Sequence, residues 1–248
     1  MEKVLDVKDV YFAYGKKHVL EDVNLAVFRG DFLGIVGPNG SAKTTLIKII
    51  LGILKPQKGT VVLLNSPIDR FNQWNKIGYI SQRVKDFNIA FPATVEEIVG
   101  ANLYSQMGFL KFLNKEHKMK IRKALDIVNM PGYQNHLIGN LSGGQQQRVF
   151  IARTLVSGPE IIFMDEPLTG VDVQSQEQFY GLMEKINKDL KITLVMVSHD
   201  IGVITNKANR VACVGDKKVC VHPSEDFDKE GHIKKIYGKD LSILHHRH

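Results

Sequence analysis

A nine-residue run carries the groups that a bound triphosphate needs: Gly37-Pro38-Asn39-Gly40-Ser41-Ala42-Lys43-Thr44-Thr45. A triphosphate is strongly anionic near neutral pH, so its site requires close backbone N–H donors, a cation and a hydroxyl group for magnesium. Gly37 and Gly40 let the backbone approach, Lys43 supplies the charge, and Thr44 supplies the hydroxyl. The run follows the apolar segment Phe32–Val36, which is the strand that a phosphate loop requires. We therefore predict that all residues of this run except Pro38 bind ATP and that Thr44 binds Mg²⁺.

One position departs from the usual phosphate loop, because Ala42 stands where a second glycine is expected. Residues 46–54 follow with a helical pattern, so we expect Ala42 to open that helix with right-handed dihedrals. Alanine is favourable in that conformation. A positive φ at position 42 would instead weaken nucleotide binding. A loop that still binds ATP is favoured over an inactive one, because the other groups needed for hydrolysis are present.

Two adjacent carboxylates end a second apolar run, Ile161-Ile162-Phe163-Met164-Asp165-Glu166. This segment resembles a Walker B strand. The resemblance implies that Asp165 holds the hydration shell of Mg²⁺ and that Glu166 polarises the attacking water. An exposed acidic pair at a strand end is the structural alternative. Pro167 and the segment 168–172 that follows resemble the D-loop of a family of ATPases, and this resemblance favours the catalytic interpretation.

The pentad Leu141-Ser142-Gly143-Gly144-Gln145 has a pattern that fits two roles. Ser142 followed three residues later by Gln145 is a capping box, which predicts the start of a helix. Two glycines in a first helical turn cost up to ~1 kcal/mol each against alanine, and capping does not explain that cost. Bare backbone N–H groups at a positive helix end suit a phosphate. The pentad is therefore a candidate phosphate-binding helix start, with a simple helix cap as the alternative.

The apolar patterns predict an α/β fold with two kinds of sheet. Residues 4–10 and 24–28 alternate apolar and polar side chains, as half-buried antiparallel strands do. Residues 161–164 and 193–197 are continuous apolar runs, which are typical of parallel strands buried on both faces. We expect a parallel core preceded by an N-terminal antiparallel subdomain.

The stretch between the two halves of this core is predicted to be helical. Thr94-Val95-Glu96-Glu97 is a capping-box start, and residues 116–128 carry apolar residues near helical spacing. We predict one domain, residues 1–248, with an inserted helical subdomain at approximately 84–157. No repeat of fixed period is visible, which excludes tandem domains in this chain.

The phosphate loop and the pentad rarely occur together, and nearly the whole chain resembles the ATP-binding cassette (ABC) ATPases. The resemblance implies a P-loop NTPase fold of the RecA-like type. It also implies that Gln82 reaches Mg²⁺ and the attacking water, that His199 contacts the γ-phosphate, and that Tyr14 stacks on adenine. Asp172 matches the acidic residue of the family's D-loop. Core packing is the structural alternative for Tyr14, and a lone histidine is more often structural than catalytic.

In this family the pentad completes the nucleotide site of a second subunit. The resemblance therefore implies a head-to-tail homodimer that encloses two ATP molecules. Each ATP would lie between Lys43 of one subunit and Ser142, Gly144 and Gln145 of the other. Hydrolysis would then require closure of the dimer.

Composition excludes several other classes of protein. The 248 residues contain no stretch approaching the ~20 consecutive apolar residues that span a bilayer, and the charged N-terminus has no apolar signal region. Two cysteines are too few for a disulfide framework, which agrees with a cytoplasmic location. The formal charge of +7 suggests an ABC ATPase that acts on nucleic acid as an alternative. No basic run and no long coiled-coil insertion supports it, so no nucleic-acid partner is expected. Ala42 motivates another alternative, a module that senses nucleotide without hydrolysing it.

A transport role requires partners, because the chain has no membrane span of its own. The resemblance implies integral membrane permease subunits, a solute-binding protein acting indirectly, and a peripheral position on the inner face of the cell membrane. Residues 87–94 and 95–104 are the candidate permease contact. The segments 91–97 and 168–172 look like those of metal-ion importers for zinc, manganese or iron.

A tail rich in histidine favours zinc among these ions. His222, His232, His245, His246 and His248 are five of nine histidines, and Cys220 lies nearby. Imidazole and thiolate are suitable zinc ligands. Residues 210–222 also read as a β-hairpin with simply buried cysteines, followed by histidines without a metal role. That alternative is favoured because the spacing matches no established zinc pattern.

Overall fold

The computed structural model describes residues 1–81, 92–107, 112–168 and 171–227. The strands are β1 (Lys3–Tyr14), β2 (Lys17–Phe28), β3 (Phe32–Val36), β4 (Lys58–Leu63), β5 (Ser66–Pro67), β6 (Ile77–Ile80), β7 (Ile161–Asp165), β8 (Thr193–Val197), β9 (Arg210–Gly215) and β10 (Lys218–Pro223). The α-helices are α1 (Lys43–Ile50), α2 (Val95–Gly100), α3 (Lys115–Ile127), α4 (Gly143–Leu155), α5 (Val173–Leu190), α6 (Ile201–Lys207) and α7 (Ser224–Phe227). The chain divides into two compact units, Met1–Asn72 with Lys191–His248, and Gln73–Leu190.

The first unit contains the two kinds of sheet that the apolar patterns predict. Strands β2, β1, β4 and β5 form an antiparallel sheet in that order. Strand β3 pairs in parallel with β8 on one side and with β9 on the other, and β10 pairs antiparallel with β9. Every residue of β3 and β8 is buried, which explains their continuous apolar sequences.

An ion pair between the buried Asp31 and the partly exposed Arg210 fixes the beginning of β3. Asp31 is 4% exposed and accepts a hydrogen bond of 2.8 Å from the guanidinium of Arg210. The same carboxylate accepts from the backbone N–H of Phe28 at 2.9 Å, and Arg210 also donates to the carbonyl of Ala26 at 2.9 Å. A buried charge needs such a partner and further hydrogen bonds. This cluster therefore holds in place the strand that leads into the phosphate loop.

The second unit combines a parallel strand pair with helices. Strand β6 pairs with β7, and the helices α2, α3 and α4 lie between them in sequence. The predicted capping box at Thr94 is confirmed, because its side chain accepts from the N–H of Glu97 while the Glu97 carboxylate accepts from the N–H of Thr94. The predicted helix at 116–128 is α3. Within the described residues, no helix is both long enough and apolar enough to cross a membrane.

The predicted helix at residues 46–54 is too long at its C-terminal end. Helix α1 ends at Ile50, and Leu51 caps it. Gly52 follows with φ +67°, a left-handed conformation that glycine adopts without strain. The N–H groups of Ile53 and Leu54 both donate back to the carbonyl of Lys48, so these residues close the helix end and do not extend it.

Candidate nucleotide site

The phosphate loop lies between β3 and α1 in the first unit, as predicted. A Cβ at Gly37 would collide with the carbonyl oxygen of Val214, so only glycine fits there. Gly40 has φ +79° and open space around it, so it needs glycine for its backbone conformation. Helix α1 starts without a side-chain cap and without an acidic residue in its first turn. Its first N–H groups are therefore suited to an anion.

Lys43 is held inside this loop. The residue is 5% exposed, and its ammonium group donates to the carbonyl oxygens of Gly37 at 2.9 Å and Pro38 at 3.0 Å. The loop carbonyls thus keep the charge beside the N–H groups that would face a phosphate. Asn39 is exposed and Ser41 is partly buried, and both lie on the same loop. The Ser41 hydroxyl oxygen is itself buried and makes no hydrogen bond within the part of the chain that the structure describes.

The expected backbone conformation of Ala42 is wrong. Ala42 has φ +78° and ψ +23°, which is left-handed, and the α-helix begins only at Lys43. The left-handed conformation brings an L-residue's Cβ too close to the following carbonyl oxygen. Alanine therefore occupies a position whose backbone suits glycine, and the loop keeps its shape at an energetic cost.

We expect Ala42→Gly to stabilise the protein by about 1 kcal/mol, because it removes this left-handed strain. The melting temperature should rise by roughly 2–4 °C for a chain of this size. Thermal unfolding of the two proteins without nucleotide measures the effect. Ala101→Gly is the matched control, because Ala101 is exposed and right-handed at φ −55°. Its substitution should lower the melting temperature. If Ala42→Gly also lowered the melting temperature, this result would contradict the inference that the backbone at position 42 is strained.

Tyr14 lies beside the phosphate loop and keeps half of its surface exposed. Its hydroxyl is 3.4 Å from the hydroxyl of Thr45, and its ring meets Phe12 edge-on, with centroids 4.9 Å apart. Core packing alone does not account for a tyrosine that is 50% exposed. The structure therefore brings the predicted adenine-stacking residue and the predicted phosphate-binding residues together in the first unit.

If Tyr14 stacks on adenine, Tyr14→Ala should weaken ATP binding by about tenfold, because stacking on an aromatic ring contributes ~1–3 kcal/mol. Tyr14→Phe is the control, since it keeps the ring and removes only the hydroxyl contact with Thr45. Titration with a fluorescent ATP analogue measures both affinities. Equal losses for the two variants would mean that the hydroxyl contact matters and that stacking does not.

His199 follows β8 at the same sheet edge as the phosphate loop. Ile35 pairs with Val197, and the N–H of Ser198 donates to the Ile35 carbonyl at 3.1 Å, so both strands end side by side. His199 is exposed at this edge. The next residue, Asp200, caps α6 by accepting from the N–H of Val203 at 3.0 Å.

Asp165 and Glu166 end β7 in the second unit. Asp165 is 7% exposed, and Glu166 has φ +50°, a left-handed conformation that is uncommon outside glycine. Burial raises the pKa of the Tyr79 phenol, and the nearby Asp165 charge raises it further. The side chain of Gln147 donates to the carbonyl of Pro167 at 3.3 Å and supports the segment after Glu166. Sparsely populated conformations of this kind often occur at active sites.

The pentad starts α4 with the predicted capping box. The Ser142 hydroxyl accepts from the N–H of Gln145 at 3.3 Å, and the Gln145 side chain accepts from the N–H of Ser142 at 3.0 Å. Gln145 also donates to the hydroxyl of Tyr133 at 3.3 Å. A Cβ at Gly143 or Gly144 would meet nothing within 4 Å. No group of the described chain therefore explains the two glycines.

A cavity of about 600 Å³ brings the pentad and Asp172 together in the second unit. Ser142, Gly144 and Gln145 line it on one side, and Asp172 and Ser175 line it near the start of α5. The side chain of Asp172 accepts from the N–H of Ser175 at 3.0 Å, and the hydrogen bonds from Ser175 lower its pKa. Asp172 therefore caps the start of α5 as well as facing the cavity.

Some predicted residues cannot be placed. The described residues do not include Gln82, residues 87–91, the D-loop positions 169 and 170, or the tail histidines His232, His245, His246 and His248. Cys220 and His222 lie on β10, and within the described ranges no group of three or more histidine, cysteine or acidic residues could hold a metal. These assignments remain predictions.

Comparison with known proteins decides the family. The ABC transporter family model matches residues 20–169. The chain belongs to the ABC transporter family. It is 42% identical to the zinc uptake system ATP-binding protein ZurA of Listeria innocua, over 98% of this chain and 93% of that protein. It is 36% identical to the manganese transport system ATP-binding protein MntB of the same organism, over 94% and 96%. The ATP-binding cassette MJ0796, solved as a dimer in a post-hydrolysis state with ADP and Pi, has a TM-score of 0.72 at 30% identity, over 89% of this chain and 98% of that one.

The chain is thus an ABC ATPase with a P-loop NTPase fold. Hydrogen bonds that the sequence did not predict support the pentad. Gln146 donates to the carbonyls of Ile138 and Leu141, both at 3.1 Å, and Arg148 donates to the Gln178 side chain at 2.9 Å. The sequence signal for these supports was the run of four polar residues from Gln145 to Arg148. Consecutive residues point to all sides of a helix, so part of this polar run faces other segments of the chain and can hydrogen-bond to them.

Proposed function

We propose that this ABC ATPase powers the import of a divalent transition metal, with zinc as the first candidate. The observation that carries the proposal is the 42% identity to a zinc uptake ATP-binding protein along 98% of the chain. Manganese is the second candidate, because a manganese transport ATP-binding protein is 36% identical along 94% of the chain.

We further propose that the chain binds ATP together with Mg²⁺. Thr44 offers a hydroxyl oxygen and the buried Asp165 a carboxylate, and these hard oxygen donors suit Mg²⁺. We assign Thr44 and Gln82 to the ion directly and Asp165 to it through water. The ion, when bound, would neutralise charge on the β- and γ-phosphates.

The hydrolysis step follows from the roles of the protein groups. The phosphate loop would bind and orient the phosphates through Lys43 and its backbone N–H groups. The other loop residues in this role are Gly37, Asn39, Gly40, Ser41, Ala42, Thr44 and Thr45. Glu166 would accept a proton from the attacking water, and His199 would contact the γ-phosphate. Phosphoryl transfer depends mainly on such positioning and on electrostatic stabilisation.

We infer that two copies of the chain close head to tail around two ATP molecules. The supporting observation is that Gly143 and Gly144 have open space where a Cβ would lie, although glycine is unfavourable in a helix. A phosphate delivered by a second subunit would explain them, because the bare N–H groups and the positive helix end would both face it. Ser142, Gly144 and Gln145 would then contact ATP only in the closed dimer, with Asp172 at the same interface.

The proposed transporter has further parts. We propose that residues 1–248 form one ABC ATPase domain, with the helical insertion at about 84–157 gripping integral membrane permease subunits. Residues 87–94 and 95–104 are the proposed contact. The chain would then work in the cytoplasm on the inner face of the membrane, and a solute-binding protein would deliver the ion on the other side.

Metal uptake in cells tests the transported ion. A strain that lacks this chain should take up less radioactive zinc at low zinc concentration and should recover with the native chain. A strain that carries the Glu166→Gln variant should not recover. Manganese uptake measured in parallel separates the candidates, since loss of manganese uptake with normal zinc uptake would contradict the zinc assignment. Normal uptake of both ions would contradict the zinc and the manganese assignments.

A further inference from the structure

The two cysteines of the chain lie directly opposite each other on neighbouring strands. Cys213 on β9 and Cys220 on β10 are cross-strand partners, and both are free thiols. The hairpin turns through Asp216 and Lys217, which have φ +46° and +64°. Two left-handed residues in a two-residue turn fix the register of a hairpin. The pairing of the two cysteines is therefore a fixed property of this hairpin.

The Cα separation of such a pair lies in the range found for disulfides. Gly215 and Lys218 close the turn, and hydrogen-bonded and non-hydrogen-bonded pairs alternate away from it, which makes Cys213 and Cys220 a hydrogen-bonded pair. In that type of pair the Cα atoms lie ~5.5 Å apart, and disulfides have Cα separations of mostly ~5.5–6 Å. The Cβ atoms of a hydrogen-bonded pair lie towards the wider end of ~4.5–5.5 Å, whereas a disulfide holds them ~3.5–4.5 Å apart. Joining the two sulfurs therefore draws the strands together by about 1 Å.

The two thiols differ in access. Cys220 is exposed on β10, whereas Cys213 is 2% exposed in the core. Burial raises the pKa of the Cys213 thiol to about 12, and the charge of the Cys220 thiolate contributes to the shift. A reagent from solution would meet Cys220 first, and Cys213 would be the second thiol to react.

The same strand touches the phosphate loop. Cys213 pairs with Val36, the last residue of β3 before the loop. The next residue, Val214, places its carbonyl oxygen so close to Gly37 that no Cβ fits between them. A small displacement of β9 at this point would therefore move or press on Gly37.

We propose that Cys213 and Cys220 are a modification site, which a hydroperoxide converts to a cross-strand disulfide, and that this disulfide lowers the affinity of the phosphate loop for ATP. The Cys220 thiolate attacks the peroxide, the O–O bond breaks, and Cys220 becomes a sulfenic acid. The Cys213 sulfur then attacks the Cys220 sulfur, so that the S–S bond forms and the S–O bond breaks. Hydroxide leaves with the Cys213 proton as water. Overall, two thiols lose two electrons, and the hydroperoxide is reduced to an alcohol, or to water when it is hydrogen peroxide, with one further water released.

Formation of the disulfide is tested on the full-length chain. The reduced protein is treated with hydrogen peroxide without nucleotide, and its intact mass and thiol content are measured. We expect a monomer that has lost two hydrogen atoms and both reactive thiols, and a thiol reductant should restore them. Dimers linked through Cys220, or over-oxidised Cys220 beside a Cys213 that can still be alkylated, would overturn the proposal.

Coupling to the phosphate loop is tested by ATP titration of the reduced and oxidised proteins. We expect oxidation to weaken ATP binding by about fivefold or more, a typical size for coupling between two sites, and ATP to slow disulfide formation in return. Unchanged ATP affinity in the disulfide form would overturn the coupling.

Cys220→Ser is the control, because Cys220 is exposed and its replacement should leave the fold intact. This variant should bind ATP like the reduced native protein before and after peroxide treatment. A loss of affinity in Cys220→Ser after the treatment would also overturn the proposal, because it would place the effect elsewhere. These results do not depend on which ion is transported.

Discussion

Replacing Glu166 by glutamine is expected to lower ATP hydrolysis by roughly 10²- to 10⁴-fold, the usual contribution of a correctly placed general base. Glutamine keeps the size and position of the side chain but cannot accept the proton of the attacking water. The affinity for ATP should stay close to that of the native protein, because Lys43 and the loop N–H groups are unchanged. Steady-state phosphate release and equilibrium ATP titration separate the two effects.

Glu160→Gln provides the matched control for this change. Glu160 immediately precedes the first residue of β7, pairs with Lys76 at 2.8 Å, and is at the opposite end of that strand from Glu166. The same chemical substitution there should leave hydrolysis near the native rate. If Glu166→Gln retained native turnover, the assignment of the general base would be wrong. Equal losses in both variants would point to damage of the strand and not to lost catalysis.

Replacing Gly144 by alanine is expected to raise stability and abolish most of the activity. Alanine should stabilise α4 by up to about 1 kcal/mol, since helix propensity favours it and a Cβ meets nothing within 4 Å. In the proposed dimer, however, the added methyl would stand between the helix start and the phosphate. A displacement of about 1 Å in a reacting complex can reduce the rate by ~10²-fold, and we expect a loss of that size.

Gly181→Ala is the internal standard for this prediction. Gly181 lies in α5, and a Cβ there also meets nothing within 4 Å. Both variants should show a similar rise in melting temperature, while only Gly144→Ala loses ATPase activity and ATP-dependent dimerisation. Light scattering with ATP in the hydrolysis-deficient background measures the dimer. Native activity in Gly144→Ala would show that no ligand approaches this helix start closely.

Local sequence rules predicted many elements because the cause and the effect lie a few residues apart. The capping boxes at Thr94 and Ser142 each depend on a residue three positions later, and both are present in the structure. Likewise, the continuous apolar run of β3 reflects burial on both faces of a parallel strand. These features required no knowledge of the tertiary structure.

One incorrect expectation concerned a residue whose conformation is set by its surroundings. Ala42 was expected to be helical, because alanine prefers helices and α1 follows it. The loop overrides that preference and holds Ala42 at φ +78°. Helix propensity amounts to less than about 1 kcal/mol per residue, so the geometry of a phosphate loop can outweigh it. The signal in the sequence was that Ala42 stands where a phosphate loop usually has glycine.

Contacts between distant segments could not be predicted from the sequence. Asp31 and Arg210 are 179 positions apart, and nothing in either segment identifies the other as its partner. The same holds for Gln147 and Pro167, and for Val214 against Gly37. Such pairs exist only after the strands have assembled, because they depend on which strands become neighbours.

The cavity beside Ser142 has a pharmacological consequence. Its volume of about 600 Å³ lies in the range of ~300–1,000 Å³ that accommodates small organic ligands. It is lined by the start of α4 and by α5 and contains no phosphate-loop residue. In the proposed dimer, a compound that filled it would keep the partner's ATP from the pentad and would leave the site around Lys43 of its own subunit open. Such a compound would therefore lower hydrolysis and leave ATP binding by the monomer unchanged.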